Sequence, residues 1–190
     1  MLLSERAIEI RKQFFPMNFG NGVYAQCVNE EIFREFIGDN FSAVFGKSGV
    51  SNIEIPEFRQ EFTARTTENF AQVHKEFIMF YDANTPIGWS TGEGQDSITF
   101  YMRNTGILPD FQNKGIYKTF LALYLSYLSE IGYERVSSKH KPFNQSVLVA
   151  KLKAGFFVDG MEIEERWGAL VKLVYFTQEY RREKFKNRFE

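Results

Sequence analysis

Cysteine, histidine, tryptophan and proline are all scarce in this chain: 190 residues hold one Cys, two His, two Trp and five Pro. A lone Cys27 excludes an intrachain disulfide and any cysteine-based metal cluster, and no bound metal is expected. No apolar run approaches the roughly 18 residues that a membrane span needs, so no membrane association is expected. Glu5, Arg6 and Glu9 interrupt the apolar residues at the N-terminus, unlike a signal peptide. A cytoplasmic location is the resulting expectation. The sequence lacks internal repeats, low-complexity segments and any linker long enough to separate two domains. Its basic residues are not interleaved with aromatics in a recognisable nucleic-acid module, so no nucleic-acid partner is expected.

Phenylalanine, by contrast, is abundant, with 21 residues available for a core. The length suits one domain spanning 1–190, with N-terminal helical additions over about 1–70. Net charge is −1, but the halves differ. Residues 1–100 carry 8 basic and 14 acidic side chains, whereas residues 101–190 carry 15 and 10. A basic second half would suit a polyanionic ligand, although part of the excess is the tail Arg181, Arg182, Lys184, Lys186 and Arg188.

Hydrophobic spacing predicts a short helix over 1–15 with Ser4 as a possible N-cap, then a strand over 23–28. Asn29 precedes a helix whose apolar face is Ile32, Phe33, Phe36, Ile37, Phe41, Val44 and Phe45. A loop over 46–53 and a further helix from Pro56 to about Asn69 follow. The period then changes to that of strands. Segments 75–81, 87–93 and 98–107 read as an antiparallel meander with turns at Asp82-Ala83-Asn84 and Gly94-Gln95-Asp96. A helix from Ile116 to Ile131, ended by Gly132, leads to a strand over 135–140 and a helix over 144–154. A hairpin of 156–163 and 170–176 closes the pattern. The fold class is therefore α/β (α+β), with a mixed, mostly antiparallel sheet flanked by helices.

The segment Ile107-Leu108-Pro109-Asp110-Phe111-Gln112-Asn113-Lys114-Gly115-Ile116-Tyr117 joins a strand to the most amphipathic helix. A glycine turn feeding a helix N-terminus aims several unpaired N–H groups one way, which suits a pyrophosphate. Downstream, Asn144 is followed at a distance by Gly155-Phe156. Ile107, Pro109, Gln112, Gly115, Asn144, Gly155 and Phe156 together resemble the GNAT superfamily of acyl-CoA-dependent N-acetyltransferases. The resemblance covers about 74–176, the expected cofactor-binding core.

That resemblance implies an acyl-CoA N-acyltransferase-like fold with acetyl-CoA as cosubstrate and a small-molecule or peptide amine as acceptor. The strand ending at Ile107 would pair with the pantetheine arm. The stretch Gln112, Asn113, Lys114, Gly115, Ile116, Tyr117 and Lys118 would hold the pyrophosphate. Tyr117 stands where the family has Gly or Ala, and fits only with its ring turned away from the phosphates. Asn144 would contact the cofactor, and is also a natural helix N-cap. The family's tyrosine acid, seven residues after that Asn, is here Lys151, so the thiolate would be protonated by water, by another tyrosine or by Lys151 itself; as a helix residue Lys151 reads as solvated. For the base, His140 at a strand end is the candidate on intrinsic pKa; His74 and Glu93 are lesser ones. Glu162, Glu164 and Glu165 would give the acceptor side a negative rim. A homodimer is compatible with the edge strands. The alternative function is a non-catalytic acyl-CoA-binding or interaction module that kept the cradle and lost the chemistry.

Overall fold

A computed structural model describes residues 5–46, 59 and 73–188. Strands β1 (Met17–Gly20), β2 (Val23–Cys27), β3 (Lys75–Asp82), β4 (Thr85–Gly94) and β5 (Thr99–Ile107) form a continuous antiparallel run. β6 (Arg135–His140) lies parallel to β5, and β8 (Gly168–Phe176) separates it from β7 (Phe157–Glu164). The result is one eight-stranded sheet, with order β1-β2-β3-β4-β5-β6-β8-β7. It is mixed and mostly antiparallel, as the sequence indicates. The N-terminal part is not only helical: its β1–β2 hairpin extends the sheet, turning at Gly20-Asn21-Gly22, which all have positive φ.

Helices α1 (Glu5–Phe14) and α3 (Ile116–Ile131) cover one face over a core that includes Ile10, Phe80, Phe100, Phe120, Tyr124 and Leu128. α3 is the crossover that lets β5 and β6 run parallel, and Gly132 at φ +115 ends it as expected. α2 (Glu30–Phe45) covers the other face, packing Phe36, Phe41 and Phe45 around Trp89. Asn29 caps it, its side chain accepting from the Ile32 N–H at 2.9 Å. α4 (Gln145–Lys153) precedes β7, and α5 (Glu179–Lys186) makes a helix of most of the C-terminal charges, which by sequence spacing alone read as a tail. Three of those charges are paired: Arg181 with Glu134, Arg182 with Glu179 at 2.9 Å, Lys186 with Glu183 at 3.6 Å. Ser4, the loop beyond Gly46 and the helix expected from Pro56 to Asn69 lie outside the described residues, except Arg59. Among the described residues no helix is long and apolar enough to cross a membrane.

Two features shape the centre of the sheet. A bulge leaves Arg103 unpaired between the pairs Thr91–Asn104 and Gly92–Met102, and a bulge bends its strand. Trp89 lies opposite Gly106 and donates its indole N–H to Asn104 Oδ1 at 2.7 Å. A Cβ on Gly106 would stand 2.5 Å from the Trp89 ring. Gly106→Ala should therefore cost about 1–3 kcal/mol by forcing this indole from a fully packed site; an unchanged urea midpoint would refute the close approach.

Candidate active site

β5 and β6 are paired only over Thr99–Arg135, Phe100–Val136 and Tyr101–Ser137. Beyond those pairs, Met102–Ile107 of β5 and Ser138–His140 of β6 have no partner across the seam, although each strand keeps its other neighbour. The bulge at Arg103 coincides with the point where the strands part. The seam is therefore closed up to Tyr101–Ser137 and open beyond it, at the C-terminal ends of the only parallel pair among the described residues, where α/β sheets usually bind ligands.

The N-terminus of α3 stands at the wide end of this opening. A short 3-10 turn, Pro109–Phe111, follows Ile107, and the chain enters α3 through two left-handed residues, Asn113 (φ 60) and Gly115 (φ 80). The N–H groups of Ile116, Tyr117 and Lys118 open the helix with no carbonyl one turn before them. With the loop N–H groups they form a concavity suited to anions. Glycine matters at 115 for its φ; a Cβ there would meet nothing within 4 Å. The same junction borders a cavity of about 260 Å³ between the loop and the β1–β2 turn, lined in part by Asn21, Asp82 and Lys114.

Gln112 does not reach into the opening. Its side-chain amide folds back to donate to the Ile107 carbonyl at 2.8 Å, locking strand end to loop. Lys114 lies 4.8 Å from the Phe111 ring centroid and is exposed, as are Asn113 and Lys118. Tyr117 is half-buried against the main core, with burial pushing its phenol well above the usual range. A tyrosine is therefore accommodated where the family has a small residue.

At the narrow end the structure corrects the sequence reading most. Lys151 is not solvated: it is 1% exposed, the only buried residue of α4. Its Nζ lies 3.5 Å from Met102 Sδ, on the first β5 residue past the last β5–β6 pair, and 4.7 Å from the Phe156 ring centroid. Desolvation lowers its pKa to about 7. Among the described residues a thioether is the only hydrogen-bonding partner of this ammonium. Nothing here repays the burial of a permanent positive charge.

His140 also differs from expectation. Its Nε2 is 3.0 Å from Ser138 Oγ. Burial and then the neighbouring Lys151 charge push its pKa to about 3. Both causes favour the neutral ring, which works against the role of proton acceptor that its intrinsic pKa suggests. Asn144 occupies the residue before α4, but its side chain caps no N–H; it only accepts from Ser146 Oγ at 3.3 Å. Its backbone (φ −79, ψ 64) departs from the extended form that a cap uses. Among the lesser candidates, His74 is built into a buried network with Tyr133 and Glu76, and Glu93 pairs with Arg103 at 3.2 Å.

The expected acidic rim is also engaged. Glu162 bonds Lys139 Nζ at 2.7 Å, and Glu164 accepts the N–H groups of Arg166 and Trp167 in the hairpin turn. The signal that could have revealed Lys151 is its spacing from Leu148. The two lie three residues apart, on one face of α4, and Leu148 packs against the main core while Val149 and Leu152 point outward. Five apolar residues, Val147, Leu148, Val149, Ala150 and Leu152, spread around α4 and hid that face.

Solved structures share this architecture. A spermidine N-acetyltransferase of Vibrio cholerae in complex with CoA and spermine is 14% identical, with a TM-score of 0.60 over 85% of this chain and 99% of that one. An N-acetyltransferase of Staphylococcus aureus is 13% identical, with a TM-score of 0.59 over 82% and 99%. A Salmonella typhimurium protein proposed to be an acetyltransferase, with its cofactor acetyl-CoA, is 12% identical, with a TM-score of 0.59 over 84% and 96%. No protein-family model matches the sequence, and no curated protein matches it. The fold is that of the GNAT N-acetyltransferases.

Proposed function

We propose that this chain, built on the GNAT fold, is an acetyl-CoA-dependent N-acetyltransferase that transfers the acetyl group directly to an amine. The observation that carries the reading is the parted β5–β6 seam beside the open N-terminus of α3. Its residues fit the cosubstrate. The free edge of β5 offers backbone groups to the amide-bearing pantetheine arm. The N–H groups of 116–118, with Lys114 and Lys118 nearby, offer positive potential to the pyrophosphate. The thioester would then lie toward the narrow end, near Met102 and Lys151.

Amine acetylation by a thioester needs the amine delivered neutral, the carbonyl oxygen stabilised and the departing thiolate protonated. Lys151 suits the last role. It replaces the family's tyrosine acid, and with a pKa of about 7 its ammonium can give a proton to a thiolate whose own pKa is about 8.5. His140 stays neutral and serves as a hydrogen-bonding partner of Ser138 rather than as the base. Cys27, with its thiol pushed up by burial and by Glu76, takes no covalent part. The acceptor is placed only as a small-molecule or peptide amine; the spermine in one structural relative makes polyamines the first to try.

Calorimetric titration with acetyl-CoA tests the cradle. Wild type should bind, and Gly115→Glu should weaken binding at least ~10-fold, by adding charge beside the phosphates and straining φ +80. Gly115→Asn, which tolerates left-handed φ and adds no charge, should retain most of the affinity. Thiol release on adding a panel of amines then tests transfer. Binding without any amine-dependent thiol release would leave a CoA-binding module and refute the transferase.

A further inference from the structure

We infer that Lys151 is itself an acetyl acceptor: with acetyl-CoA bound and no amine present, its side-chain nitrogen takes the acetyl group. This rests on the proposed acetyl-CoA site at the β5–β6 seam. The argument starts from what surrounds the nitrogen. From β5 it meets Met102 Sδ, and from the turn after α4 it meets the Phe156 ring. From β6 the facing titratable group is His140, held neutral. Among the described residues no carboxylate pairs with it. Lys139, on the opposite face of β6, shows the contrast, since Glu162 holds it in an ion pair at 2.7 Å.

An amine in such surroundings spends much of its time uncharged, and only the uncharged form attacks a thioester. Most amines in solution are protonated at neutral pH, whereas burial lowers that obstacle at Lys151. Its position supplies the other requirement. The nitrogen reaches the first β5 residue past the pairing, at the end of the opening where the acyl carbon would lie. Two groups held together in this way react as if at very high local concentration.

The step balances without a further reagent. A bond forms between Lys151 Nζ and the acetyl carbon, and the carbon–sulfur bond breaks. The thiolate leaves with the electron pair and takes up the proton that the nitrogen releases. The product amide is neutral, so the cost of burying an ammonium among Met102 and Phe156 disappears. Acetyl-Lys151 can no longer protonate a leaving thiolate. A molecule idling with acetyl-CoA but without acceptor would thus switch itself off, and amine acceptor would protect it by competing for the acetyl group.

The full chain is incubated with acetyl-CoA in the absence of amines, and acetylation is followed by intact mass and peptide mapping. Calorimetry on the same preparation reports acetyl-CoA binding. One acetyl group per chain is expected, on Lys151, forming at least ~10-fold faster than on exposed lysines such as Lys118 or Lys153. Lys151→Met, checked for folding by circular dichroism, should lose that modification while still binding acetyl-CoA. Bound acetyl-CoA with Lys151 unmodified would overturn the inference and leave the proposed function standing. The same holds for equal modification of Lys151 and the exposed lysines. Failure to bind acetyl-CoA would remove the proposed function, and this inference with it.

Discussion

Lys151→Met is expected to make the protein more stable and less active. The stability gain should be about 1–4 kcal/mol at pH 7 and below, the range seen when a buried charge gives way to an apolar side chain of similar size. The physical source is the desolvated ammonium, 1% exposed beside a thioether and a phenyl ring, with its pKa lowered to about 7. Between pH 7 and about 10.4 the unfolded chain binds more protons at this lysine than the folded one. Wild-type stability at this site therefore rises with pH across that window, and below it the full penalty applies. The gain from Lys151→Met should be largest below pH 7 and shrink toward pH 10. Urea denaturation at pH 6, 8 and 9.5 measures this directly; a gain that does not vary with pH would contradict the assigned cause.

The cost should appear in catalysis. Loss of a positioned general acid typically costs at least ~10²-fold in rate, and the variant's pH–rate profile should lack the alkaline limb that Lys151 gives near pH 7. Retained turnover with an unchanged profile would remove Lys151 from the proton path. A residue that destabilises the fold and sits buried at the narrow end of the opening is the pattern expected of a group kept for chemistry.

Glu76→Ala should have the largest destabilising effect, about 3–5 kcal/mol, the usual cost of breaking a buried ion pair. Glu76 is 1% exposed on β3. Its carboxylate accepts from Arg11 at 2.9 Å, from the Tyr127 hydroxyl at 2.5 Å and bonds His74 Nε2 at 2.8 Å. His74 Nδ1 in turn meets Tyr133 Oη at 2.8 Å. The network ties α1 to the sheet and to α3, and without the carboxylate these groups are left without their shared acceptor. Burial alone would raise the pKa of Glu76, but the His74 hydrogen bond, the Arg11 charge and the Tyr127 hydrogen bond outweigh it, and the net shift is downward. A depressed carboxylate stabilises the fold above its unfolded pKa of about 4.3, and that contribution is lost as pH falls through the lower folded value. Wild type should lose stability at acid pH along this limb, and Glu76→Ala should lack that part of the pH dependence. A variant within about 0.5 kcal/mol of wild type at pH 7 would show the network to be incidental.

Much of the local structure was legible because it depends on neighbours in sequence. Asn29 before Glu30-Glu31, Gly132 after a helical stripe and the turns between the meander strands each impose a backbone shape within a few residues. The turn at Gly115 belongs to the same class, since left-handed φ and a helix start are encoded side by side. The β1 strand escaped because four residues, Met17–Gly20, carry little period. The helical content of the tail escaped because α5 has no buried residue to mark a face.

The chemistry of the site was not legible in the same way. The sequence determined that residue 151 is a lysine seven positions after Asn144; it did not determine what lies around that lysine. Met102, 49 residues away, and Phe156 across a turn create its apolar shell, and the parting of β5 from β6 decides that the shell borders an opening. His140 likewise has an ordinary intrinsic pKa that burial and Lys151 override. Helices, turns and the glycine at position 115 follow from short-range sterics that the chain carries everywhere. Protonation states depend on desolvation and on charges brought near by distant segments, so only the tertiary structure could set them.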